Sequence, residues 1–220
     1  MELTKNQLQE IENYIKSNDV DYIDLKIELL DHITSDVEHK ISKGFSFESA
    51  FQFTKQKWNK HFRNTSSIFL GFQHSTSKIV LKKAVKEFKP FYFLYIFSYF
   101  FPFLIIKTFS IEYTENMMFY INTFFKIATL LALIYFVFII YKVSFSKVKT
   151  TYRFILKTQY FGIVFLLTAQ FFTGYSEKLG QMNEFFVSFS CVGLATTYIC
   201  HHFYKKHFLE ISKNNKTKVL

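Results

Sequence analysis

The chain has 220 residues, half of them hydrophobic and 31 of them Phe, with a formal net charge of +10. An ordinary soluble domain does not carry so much apolar and aromatic material. Residues 1–65 hold nine Lys/Arg against eleven Asp/Glu, so the basic excess belongs to residues 66–220, where Lys flanks apolar runs of spanning length; this speaks for membrane topology and against nucleic acid as a partner.

The stretch through Asp19 is polar and acidic without an apolar core, so no cleavable signal peptide is expected and the first membrane helix must direct insertion itself. Thr4 and Gln7 stand at capping-box spacing ahead of Leu8, Ile11, Tyr14 and Ile15, which predicts a first amphipathic helix over residues 4–16. Asp21 or Asp24 can cap a second helix, whose apolar residues Ile23, Ile27, Leu30, Ile33, Val37 and Ile41 recur every three or four positions until Gly44. Ser46 caps a third, with Phe47, Phe51, Trp58 and Phe62 on its packing side. Residues 1–65 are thus expected to form a small cytoplasmic three-helix domain with Ile27, Leu30, Ile33, Phe51 and Trp58 in its core. Residues 66–89 read as a polar connector that turns basic and amphipathic, with Lys82, Lys83, Lys86 and Lys89 expected at lipid headgroups.

Residues 90–220 contain four apolar runs, near 90–109, 118–141, 154–173 and 184–204, each close to the roughly twenty residues that cross a bilayer. Lys78, Lys82, Lys83, Lys86 and Lys89 precede the first run. Lys142, Lys147, Lys149 and Arg153 separate the second from the third, and Lys205, Lys206, Lys213, Lys216 and Lys218 follow the fourth. The other two loops carry only Lys107 and Lys178 among Glu112, Glu115, Glu177 and Glu184. The positive-inside rule therefore predicts that both termini and the 142–153 loop are cytoplasmic. The expected fold is all-α: a cytoplasmic three-helix domain followed by a four-helix transmembrane bundle. The abundance of Lys, Asn, Ile, Phe and Tyr fits an AT-rich bacterial genome, which makes the expected location a bacterial inner membrane.

Few residues suggest chemistry. Glu28, His32, Asp36 and His39 fall along one stripe of the second helix, a spacing that suits a divalent metal or, equally, a solvated polar face. One helix supplies too few ligands, so no metal or other cofactor is expected. Asp31 is expected at the margin of the core, where it can accept a hydrogen bond from an orphan amide at the start of another helix. Lys126 lies deep in the second run beside Asn122, Thr123 and Thr129; it either snorkels outward or lines a polar cleft, and snorkelling is the favoured reading. Lys157 is near enough to the cytoplasmic side to snorkel. His201, His202 and His207 are too few for a histidine-box enzyme and read as interfacial. Cys191 and Cys200 stand about 13 Å apart along a helix and cannot pair there. Ser188, Ser190, Gly193, Ala195, Thr196 and Thr197 mark the last run for close helix contact.

Tyr22-Ile23-Asp24-Leu25, Glu28-Leu29-Leu30-Asp31-His32-Ile33, Glu38 and Gly44-Phe45-Ser46-Phe47-Glu48-Ser49-Ala50-Phe51 together resemble the helical prefix domain of bacterial membrane proteins called HAAS or DUF1700-like, most of all its Bacteroidota versions. The resemblance covers about the first quarter of the chain. It implies a sensory or regulatory membrane protein and leaves the apolar runs unassigned. With no nucleophile–base pair and no phosphate loop in the sequence, the expectation is a non-enzymatic protein that contacts membrane lipids and an unidentified protein partner through its N-terminal domain. A small transporter or channel subunit, built as a homo-oligomer around Asn122 and Lys126, is the alternative. A membrane-embedded enzyme acting on lipid or terpenoid ranks third.

Overall fold

The computed structural model describes residues 3–18, 20–109, 112–176 and 180–217. Glu177, Lys178 and Lys218, which entered the loop charges above, lie outside the described residues. The chain is mostly helical and divides into two units, one formed by Met1–Glu87, Lys147–Ile155 and Lys206–Leu220, the other by Phe88–Ser146 and Leu156–Lys205.

In the first unit, α1 spans Lys5–Ser17, α2 Ile23–Ile41 and α3 Phe47–Phe62. The predicted capping box opens α1: Thr4 accepts from the Gln7 amide, and the Gln7 side chain accepts from the Thr4 amide. Ser46 caps α3 as expected, and Gly44, at φ 93°, supplies the turn between α2 and α3 that a side chain would strain. The register of α2 differs from the prediction. Its buried stripe is Leu25, Leu29, Ile33 and Val37, whereas Ile27 is 68% exposed and Leu30 only half-buried. Both sets have helical spacing, and Leu29 lies about 160° around the helix from Ile27, so only one of the two can face a given core. Ile33 and Phe51 are in the core, with Trp58 packed on its edge.

The segment expected as a connector is structured. Asn64–Ser67 (β1) and Gly71–Ser77 (β2) form an antiparallel hairpin. β2 runs directly into α4, Lys78–Phe88. Its apolar side is not presented to lipid: Val80, Leu81 and Ala84 are buried, and Val80 joins the core of α1–α3.

The second unit holds α5 (Phe91–Thr108), α6 (Glu115–Phe145), the third run from Leu156 on and the fourth up to Lys205. The third predicted run is interrupted: α7 (Thr151–Thr158) gives way to a 3-10 turn at Tyr160–Gly162 before α8 (Ile163–Phe171). Polar groups at the break are satisfied by protein, since Gln159 donates to Thr158 and accepts from the Tyr95 hydroxyl at 2.8 Å, as an apolar setting demands. Three helical runs, Phe91–Thr108, Glu115–Phe145 and Thr151–Phe171, are long and apolar enough to cross a membrane. The fourth predicted run lies within α9, Glu184–Thr217. It is not among these three because Ser188, Ser190, Thr196, Thr197, His201 and His202 dilute its apolar character.

Those small and hydroxyl residues make the close contacts that their sequence suggested. A Cβ on Gly162 would meet Thr196 Cγ2, and one on Gly193 would lie 2.7 Å from Leu166 Cδ2. Ser190, Thr196 and Thr197 return their hydroxyl protons to carbonyls one turn back in α9, which removes the cost of burying them.

Candidate functional site

The polar groups of the first unit converge on a residue that the sequence offered only as a cap for its own helix. Asp24 lies in the first turn of α2, but Tyr22 occupies the N-cap there and makes no side-chain cap hydrogen bond. The Asp24 carboxylate, 3% exposed, turns to a distant segment instead. Its Oδ1 accepts from the Thr151 amide at 2.9 Å, at the start of α7, and its Oδ2 lies 3.2 Å from Lys83 Nζ. Lys83 also donates to the Asp24 carbonyl at 2.7 Å, and the Ile23 amide donates to the Lys149 carbonyl. A carboxylate at the first amides of a helix is favoured by those unpaired donors and by the helix dipole.

The neighbouring Thr150 continues the junction. Its hydroxyl accepts from the Arg153 amide as the cap of α7 and lies 2.8 Å from His207 Nδ1. Thr150, Thr151 and His207 are fully buried. Burial, together with the nearby Arg153 guanidinium, depresses the His207 pKa to about 4 against a smaller opposing pull from Asp24. Lys206, one residue earlier in α9, pairs with Glu87 at 2.7 Å and stands over the Tyr152 ring. Asp24, Lys83, Glu87, Thr150, Thr151, Lys206 and His207 thus bind three stretches of chain into one unit. His207 is a buried member of this junction, not an interfacial residue.

The sequence-predicted stripe on α2 is not brought together as a site. Glu28, Asp31, His32 and His39 are exposed. Glu28 lies 3.9 Å from Lys83, and Asp36 accepts from Lys57 at 2.7 Å and from the Trp58 indole at 2.8 Å. Partial burial raises the Asp36 pKa, but these two hydrogen bonds outweigh it and hold the carboxyl below its usual value. The cap expected of Asp31 is made by Asp24, about two turns earlier in the same helix. Among the described residues no three His, Cys, Asp or Glu side chains are grouped as a metal site. Lys82, Lys86 and Lys89 are exposed, whereas Lys83, expected beside them at headgroups, is drawn inward by Asp24.

In the second unit, Asn122 accepts from the Gly174 amide at 2.9 Å, and Lys126 Nζ lies 3.4 Å from the Gln170 carbonyl in the last turn of α8. The Gln170 amide donates to the Thr129 hydroxyl at 2.6 Å and to the Lys126 carbonyl. Lys126 Nζ therefore ends at the carbonyl end of α8, where the helix dipole favours a cation. Gln170 was not singled out in the sequence; an amide in an apolar run is the signal that pointed to it. His201 contacts the Tyr135 hydroxyl, and the His202 ring packs on Phe91.

Two concavities lie elsewhere. One of about 430 Å³ in the first unit is lined by Leu3, Thr4, Ile41, Phe45 and Phe47. The other, of about 800 Å³ in the second unit, is lined by Lys107, Tyr175, Gln181, Asn183 and Glu184 among others. Neither includes a residue singled out above as a site. Compared with protein-family models, with curated proteins and with solved structures, the chain matches none of them.

Proposed function

We propose that this chain is a non-enzymatic, four-span protein of a bacterial inner membrane, in which a cytoplasmic helical unit receives a protein partner and couples its binding to the membrane helices. The observation that carries the reading is the composition of the first unit. The three stretches assigned to the cytoplasm by their Lys and Arg residues are the N-terminal region, the 142–153 loop and the tail after the fourth run. Most of each gathers in that unit, held by Asp24, Thr150, Glu87, Lys206 and His207. The loops assigned to the outer side also meet one another, with the Tyr113 amide donating to the Gly180 carbonyl at 2.7 Å.

The exterior of the apolar runs suits lipid. Phe93, Ile96, Phe100 and Leu104 of α5 and Phe124, Leu131 and Ile134 of α6 are exposed, a pattern that is costly in water and favourable in hydrocarbon. The fourth crossing is supported by the buried Ser190, Thr196 and Thr197 hydroxyls, which donate to carbonyls of α9 itself, and by the Lys residues after it. The likeness of the Glu28–Ile33 and Gly44–Phe51 segments to the HAAS or DUF1700-like prefix supports a regulatory role.

Partner binding falls to the outward side of α2, where Ile27, Glu28, Asp31, His32 and His39 are exposed together. The test is purification in mild detergent with mass spectrometry of bound proteins, comparing wild type with an Ile27→Glu, Asp31→Lys variant. A cytoplasmic protein lost from the variant, with membrane insertion and melting unchanged, is the expected result. An identical set of bound proteins would count against the assignment.

A further inference from the structure

The tip of the β1–β2 hairpin exposes large apolar side chains. Leu70 is buried and fixes the turn, but Ile68 and Phe72 are 70% and 69% exposed, with Phe69 beside them more than half exposed. Isolated exposed apolar residues are common on proteins; three within five positions on a projecting hairpin are not.

The chain around this tip is free of acids. No Asp or Glu occurs between Glu48 and Glu87, while Lys55, Lys57, Lys60, Arg63, Lys78, Lys82, Lys83 and Lys86 all fall there. Lys78, Lys82, Lys86 and Lys89 are exposed, and their spacings of four, four and three put them on one stripe. His61, at the end of α3, registers the resulting field. Burial first, and then Lys60, Lys78, Lys82 and Lys57, hold its pKa below the ordinary value. Cations from α3 and α4 therefore act on one region next to the hairpin. Only Lys89 and Pro90 separate α4 from α5, so two residues of chain join this region to the first apolar run.

We propose that the hairpin is a membrane wedge: Ile68, Phe69 and Phe72 enter the interfacial layer of an anionic bilayer while Lys78, Lys82 and Lys86 engage lipid phosphates. The inference rests on the membrane reading above. Aliphatic and aromatic side chains backed by Lys are the composition that the bilayer interface selects, and each Lys near an anionic leaflet adds to the attraction. A second copy of the same surface is disfavoured because the two Lys stripes repel. A protein partner would have to be acidic, whereas on the membrane reading the stripe is joined through only Lys89 and Pro90 to a helix that enters the bilayer.

The experiment uses the full chain with Phe72→Trp in nanodiscs of phosphatidylglycerol or phosphatidylcholine, each with and without bromine in the acyl chains. Wild type supplies the baseline from Trp58, and Ile68→Trp is the second probe position should Phe72→Trp fail to fold. In phosphatidylglycerol the added Trp is expected to emit at shorter wavelength and to lose most of its emission to brominated lipid. That loss should weaken in phosphatidylcholine, and also when Lys82→Glu and Lys86→Glu are added. An unquenched Trp open to aqueous iodide overturns the wedge, and equal quenching in both lipids overturns its anionic recognition. A chain that does not enter nanodiscs overturns the membrane reading along with the wedge, whereas incorporation without quenching contradicts the wedge alone.

Discussion

Replacing Asp24 by Ala removes the acceptor of a fully buried amide and the partner of Lys83 at one stroke. The Thr151 amide has no route to water, and leaving such a donor unpaired costs about 1 to 3 kcal/mol. The capping interaction itself is commonly worth about 1 kcal/mol, already contained in that range. Lys83 suffers less, because it keeps the Asp24 backbone carbonyl at 2.7 Å and has Glu28 at 3.9 Å. A loss of about 2 kcal/mol corresponds to roughly 4 to 8 °C in melting temperature for a chain of this size. Asp24→Asn retains an oxygen for Thr151 and should lose about half as much. Asp31→Ala, on the exposed side of the same helix, should stay within about 0.5 kcal/mol of wild type. Thermal unfolding followed by circular dichroism in mild detergent ranks the three. Equal melting of Asp24→Ala and wild type, or a larger loss in Asp31→Ala, would refute the assignment of the cap.

The register of α2 predicts that Leu29→Asp, which buries an unpaired charge, unfolds the first unit, while Ile27→Asp leaves the circular dichroism melt nearly unchanged. His207 makes stability depend on pH. Its folded pKa of about 4 lies below the ordinary 6.5, so the unfolded chain takes up the proton first and stability falls as pH drops from about 6.5 towards 4, by at most about 3 kcal/mol. His207→Gln should flatten that slope in melts run across this range; an unchanged slope would show that another group titrates. Gly162→Ala should destabilise the second unit, because the new Cβ collides with Thr196 Cγ2; a Thr196→Ser change in the same chain should recover part of the loss, read by detergent melting.

Features set by neighbouring residues were legible in the sequence. Thr4 with Gln7, Ser46 at the start of α3 and the hydroxyl pattern of α9 each depend on partners within a few positions or on residue size alone. Long-range partners were not. Asp24 meets Thr151, 127 positions away, and nothing near Asp24 distinguishes it from Asp21 or Asp31. The choice between the Ile27 and Leu29 faces also lay beyond the sequence, because both apolar sets have helical period and only the position of α1, α3 and α4 decides between them. The hairpin was hidden because Asn64–Ser67 and Gly71–Ser77 lack the alternation of apolar and polar residues that marks a half-buried strand. The sequence placed Lys126 beside Asn122 and Thr129, but its contact with the Gln170 carbonyl, 44 positions away, was not legible there.

On the proposed function the chain crosses the bilayer four times and returns its C-terminus to the cytoplasm, where His207 and Lys206 can join Thr150 and Glu87. Green fluorescent protein and alkaline phosphatase, fused separately to the C-terminus and expressed in a bacterial host, test this directly. Fluorescence without phosphatase activity is the predicted result. Phosphatase activity without fluorescence would leave only three crossings and contradict the account.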